Sequence, residues 1–215
     1  MDGNLVTFAL LSLSSILVIV NPFTATLTFV SLTPDLSLAE RVAAVKVSTR
    51  YALVILLTFA ILGGIILQLF GITLEAFRIA GGMLLFLIGM DMVYARPSRT
   101  KITQTERTES IEAEEIAVIP LAFPMIAGPG AITTTIVLMN EAQNDLVKIA
   151  IIMISILIAI ILTYAMMLRS DYIVKRIGQR EYRAINRLMG MLLLAIAVQF
   201  VINGIKVAFP AVTGG

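Results

Sequence analysis

Six long apolar stretches, at about 5–31, 47–69, 73–95, 116–139, 146–168 and 185–209, alternate with polar breaks along this chain. Each is long enough for a helix that crosses a hydrocarbon core of roughly 30 Å, which takes about 20 residues. The apolar residues run around the whole circumference and not along one stripe, so these helices are built to face lipid. One gap is long. RPSRTKITQTERTESIEAEE at 96–115 is polar and charged, and it reads as a hydrophilic loop between two halves, with room for a short helix at its glutamate-rich end. The expected fold class is all-α: a polytopic membrane protein with six transmembrane helices. It forms a single transmembrane domain over 1–215, with one half at about 1–95 and the other at about 116–209.

Segments one and four carry helix breakers near their middles: VIVNPFTATLTFV at 18–30 and IPLAFPMIAGPGAITTTIVLMN at 119–140. Proline removes an amide donor, and glycine relaxes the steric limits on the backbone. A simple kink accounts for one proline. It accounts less well for Pro120, Pro124 and Gly128-Pro129-Gly130 in a single segment, because freed backbone groups at membrane depth need protein or a wet cavity around them. The helices of segments one and four are therefore expected to be broken at NPF and AGPG.

The two breaks also resemble each other. Asn21-Pro22-Phe23-Thr24-Ala25-Thr26-Leu27-Thr28-Phe29-Val30 lies on Gly128-Pro129-Gly130-Ala131-Ile132-Thr133-Thr134-Thr135-Ile136-Val137 at an offset of 107 residues. Arg78-Ile79-Ala80-Gly81 before Leu84-Leu85 lies on Arg187-Leu188-Met189-Gly190 before Leu193-Leu194 at an offset of 109. Three crossings per half would set the halves in opposite orientations, an inverted 3+3 repeat of the kind common among transporters.

Composition agrees: 59% of 215 residues are hydrophobic, 14% are charged, and the mean hydropathy is +0.97. The net charge of +2 and pI near 9.0 do not call for nucleic acid, because the basic residues gather beside the apolar runs. With alternate crossings, 13 of the lysines and arginines fall in loops one, three and five, and 3 fall on the other side. The positive-inside rule then makes loops one, three and five cytoplasmic and both termini extracytoplasmic, in a multi-pass protein of the cell membrane. The N-terminus lacks the basic n-region and cleavage site of a signal peptide, so it is expected to stay as the first membrane segment. The chain has no Cys and no His, which removes disulfides, thiolate nucleophiles, thiolate or imidazole metal sites and histidine acid–base chemistry. No catalytic constellation, metal site or cofactor motif stands out, and the chain is not expected to be an enzyme.

The candidate chemistry sits at the breaks. A half-helix starting after Asn21 and Pro22 would turn free amides and a positive dipole end toward an anionic group such as a carboxylate, while the Asn21 amide adds donors and an acceptor. The plainer reading is a kink in which Asn21 caps its own next turn. Gly128, Pro129 and Gly130 would do the same in the second half, with Thr133 and Thr134 just beyond; close helix packing is the alternative. Thr24 and Thr28 share a helix face, but Thr26 diverges from them. Asp91 is a candidate for ion coupling if buried, and an interfacial residue beside Arg96 if not. Gly81, Gly82 and Gly190 suit close helix contact, and Gln199 and Asn203 suit either bonding between helices or the solute path. Arg78 and Arg187 are expected to snorkel to opposite interfaces.

These motifs carry a resemblance. NPF at 21–23 with TLTFVSLTP at 26–34, RIAGGMLLFLIGMDMV at 78–93, PLAFPMIAGPGAITT at 120–134 and RLMGMLLLAIAVQFVINGI at 187–205 are similar to the MarC family, once grouped as multiple antibiotic resistance proteins and including SnatA-like small neutral amino acid transporters. The resemblance implies six spanning helices with extracytoplasmic termini, and uptake of glycine, alanine and similar amino acids coupled to the proton gradient. One departure touches the site: Thr24 and Ala25 stand where the family's first motif commonly has Gly-Asn, so specificity is open at that position. An exporter or channel for another small solute, and a structural or signalling membrane protein, are the alternative readings. Oligomeric state and substrate rank order are left open.

Overall fold

A computed structural model describes residues 2–33, 36–94, 117–176 and 179–209. They form α1 (Asp2–Val20), α2 (Pro22–Leu32), α3 (Leu38–Leu69), α4 (Leu74–Val93), the π-helical α5 (Ala117–Ile126), α6 (Pro129–Glu141), α7 (Leu146–Leu168), α8 (Ser170–Arg176) and α9 (Gln179–Ala208). The hydrophilic loop expected at 96–115 lies outside the described residues.

The helix ends follow local chemistry. Ser37 and Glu40 close a capping box at the start of α3: Ser37 Oγ accepts the Glu40 N–H at 3.4 Å and Glu40 Oε2 accepts the Ser37 N–H at 2.8 Å. Replacing Ser37 with alanine is expected to lower stability by about 1 kcal/mol in thermal unfolding in detergent. Gly71, with φ 65, ends α3; Ile72 N–H then reaches back to the Leu67 carbonyl at 2.9 Å, as a left-handed cap requires. Thr73 and Asp145 cap α4 and α7 in turn. In segment four Pro120 and Pro124 cannot donate to the helix ladder, and the chain widens to π-helical turns, with Ala127 N–H bonded to the Ala122 carbonyl at 2.9 Å.

Five helical stretches are long and apolar enough to cross a bilayer: Leu5–Val30, Leu38–Leu69, Leu74–Val93, Leu146–Leu168 and Arg187–Ala208. The segment expected at 116–139 is divided instead between α5 and α6, of 10 and 13 residues, neither of which is a span by itself. Large apolar side chains such as Leu10, Val54, Ile61, Ile65, Leu87, Ile161 and Leu192 point outward. A surface of this kind is stable against hydrocarbon and not against water. The chain is an all-α polytopic membrane protein with about five apolar spans.

The core lies between α1, α2, α3, α5, α6 and α7, around Ile16, Phe29, Leu56, Leu121, Ile126, Ile136 and Ile156. α4 and α9 form the most extensive helix pair and attach to this core through α6 and α1. They run antiparallel, since Gly82 faces Ala197, Gly89 faces Gly190 and Leu194, and Gly204 faces Glu75.

Candidate functional site

Both breaks open onto the same stretch of α4. At the first, Asn21 adopts φ 48 and ψ 70, a left-handed conformation that asparagine tolerates better than most residues. Its Oδ1 accepts the Thr24 N–H at 3.1 Å and so caps α2, while Pro22 fills a first-turn position whose N–H would have no helical acceptor. The other end of the carboxamide reaches the Met92 thioether, with Nδ2 3.9 Å from Sδ. Asn21 is 7% exposed, so a strong donor is buried against one of the weakest acceptors in proteins.

At the second break Gly128 caps α6 with φ −72 and ψ 170 and offers no side chain to the first-turn amides. Pro129 has no N–H, so Gly130 and Ala131 supply the donors that have no acceptor within the helix. Gly130 packs so closely on Leu85 of α4 that a Cβ there would run into the leucine side chain, and Ile19 of α1 lies beside it. Leu85 and Met92 are two turns apart, about 10 Å along α4.

Thr133, Thr134 and Thr135 are all buried, and each hydroxyl donates to a carbonyl one turn back, at 2.9, 2.9 and 2.7 Å. Their protons are therefore engaged, and what remains for a solute is the acceptor side of each oxygen. On α2, Thr26 is bonded in the same way to the Pro22 carbonyl at 2.7 Å and is buried; Thr24 and Thr28 lie half-buried on another face.

The remaining candidates fall elsewhere. Gly81 sits against Thr133 at the α4–α6 contact, and Gly82 and Gly190 lie in the α4–α9 seam. Asp91 is half-buried in the last turn of α4. Gln199 and Asn203 bond to one another along α9 at 2.7 Å, the natural result of their i, i+4 spacing, and not across helices. Arg78 does not snorkel freely: its side chain is 11% exposed and Nη2 donates to Glu141 Oε1 at 2.7 Å. An open apolar recess of about 460 Å³ lies apart from both breaks, between Met83, Phe86 and Leu87 of α4 and Val198, Val201 and Ile202 of α9. Among the described residues no cluster of acidic side chains could hold a metal ion.

Leu85 and Met92 were not visible as site residues in the sequence. Their spacing from Gly81, one turn and then two turns further along, is the signal that could have found them.

Comparison with known proteins agrees with this architecture. The model of the MarC family integral membrane proteins matches residues 6–209. A UPF0056 membrane protein of Methanocaldococcus jannaschii is 43% identical over 93% of this chain and 96% of its own length. One of Pyrococcus abyssi is 39% identical over 94% and 96%. The UPF0056 membrane protein YhcE of Escherichia coli is 32% identical over 89% of each chain. No solved structure matches. With a family model covering nearly the whole chain and relatives of matching length, the protein belongs to the MarC family of integral membrane proteins.

Proposed function

We propose that the protein is a secondary active transporter of small neutral amino acids such as glycine and alanine, coupled to protons and working by alternating access. The observation that carries this reading is the pair of short helices, α2 and α6, that each begin at a proline, one capped by Asn21, whose side chain reaches Met92 of α4, and the other capped by Gly128 and packed on α4. The Gly130 and Ala131 amides at the start of α6, which no side chain caps, suit a carboxylate, and at the start of α2, where the Thr24 N–H is taken, the Asn21 Nδ2 is the donor. Threonine oxygens whose protons are already bonded suit an ammonium group, which can only donate. A zwitterion carries both groups. Glycines and threonines at the second break leave little room, so the site favours small side chains and excludes bulky ones.

In this reading α5 and α6 together make a sixth, broken crossing, and the chain is one domain of two inverted halves. The packing supports it, because α1 on α7 mirrors α5 on α3, and α2 on α7 mirrors α6 on α3. Loops one, three and five face the cytoplasm, both termini face outward, and the protein performs no catalysis. Asp91 is the candidate proton carrier.

Proteoliposome uptake of radiolabelled glycine tests the function. The expected result is saturable uptake that rises with an inward proton gradient and is blocked by alanine but not by leucine. Folded, inserted protein that takes up no glycine under either condition sinks the amino acid assignment and brings forward export or conduction of another solute.

A further inference from the structure

Most of the main helix pairs of the two halves match, and the largest departure involves α4 and α6. α6 packs on α4, but α2 makes no comparable contact with α9, the helix that corresponds to α4 in the other half. Burial follows the same division. Every residue of α6 from 130 to 138 is buried, whereas Phe23, Thr24, Leu27, Thr28 and Val30 on α2 stay half-buried. The α4–α6 seam is close, with Gly81 against Thr133 and Gly130 against Leu85. At its end the Arg78–Glu141 ion pair, 2.7 Å long, ties α4 to α6. Arg187 holds the place of Arg78 in the other half; it is exposed and makes no ion pair with another described residue.

We propose that the α4–α6 seam, clasped by Arg78 and Glu141, is the closed gate on the side of the termini, and that the opposite-facing state forms when α4 rolls off the Gly190–Leu194 face of α9, which it covers here through Gly89, Met92 and Val93, so that α2 docks on that face while α6 leaves α4. This rests on the inverted-repeat transport reading. Inverted halves related in this way exchange conformations, so the contact one half makes now is the contact the other half makes in the second state. The duplicated motifs specify it: Gly190 stands for Gly81, Leu194 for Leu85, Thr26 for Thr133 and Phe23 for Gly130. The last pair is unequal. A phenyl ring where the other half has no side chain makes the mirrored seam bulkier, which favours the α4–α6 seam at rest.

The chain has no cysteine, so single cysteines report position without background. Val30 and Val137 are equivalent residues on α2 and α6, the first half-buried and the second 3% exposed. Full-length Val30→Cys and Val137→Cys proteins in oriented vesicles are treated with a membrane-impermeant maleimide from each side. Val30→Cys is expected to react from the cytoplasmic side, and Val137→Cys from neither. Adding Glu141→Ala should raise labelling of Val137→Cys from the side of the termini roughly three- to tenfold and lower that of Val30→Cys. Exchanging the charges, Arg78→Glu with Glu141→Arg, should restore protection, which a merely misfolded variant would not do. Equal labelling of both cysteines, or labelling of Val137→Cys that Glu141→Ala leaves unchanged in protein with a normal unfolding transition, overturns the gate. Because no solute enters this assay, its result is independent of glycine uptake: the gate can hold where the substrate assignment fails, and the reverse.

Discussion

Asn21→Gly is expected to cut glycine uptake about tenfold or more while leaving the protein nearly as stable as before. The backbone at Asn21 is left-handed, with φ 48, and glycine adopts that conformation without strain. An Asn-to-Gly change at a helix cap costs only a few tenths of a kcal/mol. What the variant loses is the carboxamide, buried between the Thr24 amide and the Met92 sulfur. A hydrogen bond to a charged group contributes about 1.5–3 kcal/mol, and tenfold in affinity corresponds to about 1.4 kcal/mol. Asn21→Ala is the necessary partner, because it removes the same carboxamide and keeps a Cβ in the left-handed region without the local hydrogen bond that lets asparagine tolerate it. It should lose roughly 2–3 kcal/mol of stability as well. Initial uptake rates and thermal unfolding of both variants separate the effects. If Asn21→Gly transports like the parent, the side chain only caps α2, and solute recognition lies elsewhere.

Gly82→Leu should be the most damaging single substitution in the α4–α9 pair, whereas Gly64→Leu should be tolerated. A Cβ at Gly82 would lie 2.8 Å from the Ala197 carbonyl oxygen and 2.8 Å from Val201 Cγ2. Backbone cannot rotate out of the way as a side chain can, so the two helices must separate. Overpacking costs about 1–3 kcal/mol for a few added carbons, and a whole isobutyl group at a backbone contact falls at or beyond the upper end. Gly64 has nothing within 4 Å of its Cβ position and faces outward, where leucine meets lipid and gains about 1 kcal/mol in helix propensity over glycine. The check is the thermal midpoint of each variant in one detergent. Equal midpoints would mean that the α4–α9 seam is far more compliant than its geometry indicates.

The sequence was most legible where chemistry is discrete. Asn-Pro and Gly-Pro-Gly in apolar text announce helix starts, and α2 and α6 begin at Pro22 and Pro129. Capping of α2 by Asn21 was one of two stated readings, and the Oδ1 bond to Thr24 makes it, without deciding whether solute also binds there. What lay around Pro120 and Pro124 was less legible, because missing donors say that a helix is disturbed but not whether it bends, breaks or widens; it widens. Arg78 misled for another reason. A long basic side chain near a helix end ordinarily reaches for water, but Glu141, 63 residues away, comes within a hydrogen bond of it, and sequence gives no distance between two helices. Leu85 and Met92 were hidden most completely. In a helix that is apolar all round, only spacing from a small residue such as Gly81 separates the leucine that faces another helix from the one that faces lipid.

The length of α3 has a consequence for how deeply the protein sits. Its 32 residues extend about 48 Å, but only the part from Tyr51 onward is free of charge, and that part is about 29 Å long. The first 13 residues therefore stand roughly 20 Å clear of the acyl chains, carrying Arg41, Lys46 and Arg50. Arg41 is occupied, bonded to both Asp171 oxygens at 2.9 and 3.0 Å and stacked over Phe29. Lys46 and Arg50 are exposed, and with the uncharged part of α3 in the hydrocarbon layer they come beside the phospholipid headgroups. Each such residue is attracted to an acidic leaflet by about 1 kcal/mol. Anionic lipid thus adds roughly 2 kcal/mol to the hold on depth that the uncharged part of α3 already provides, and in a bilayer of uncharged lipid that addition is lost.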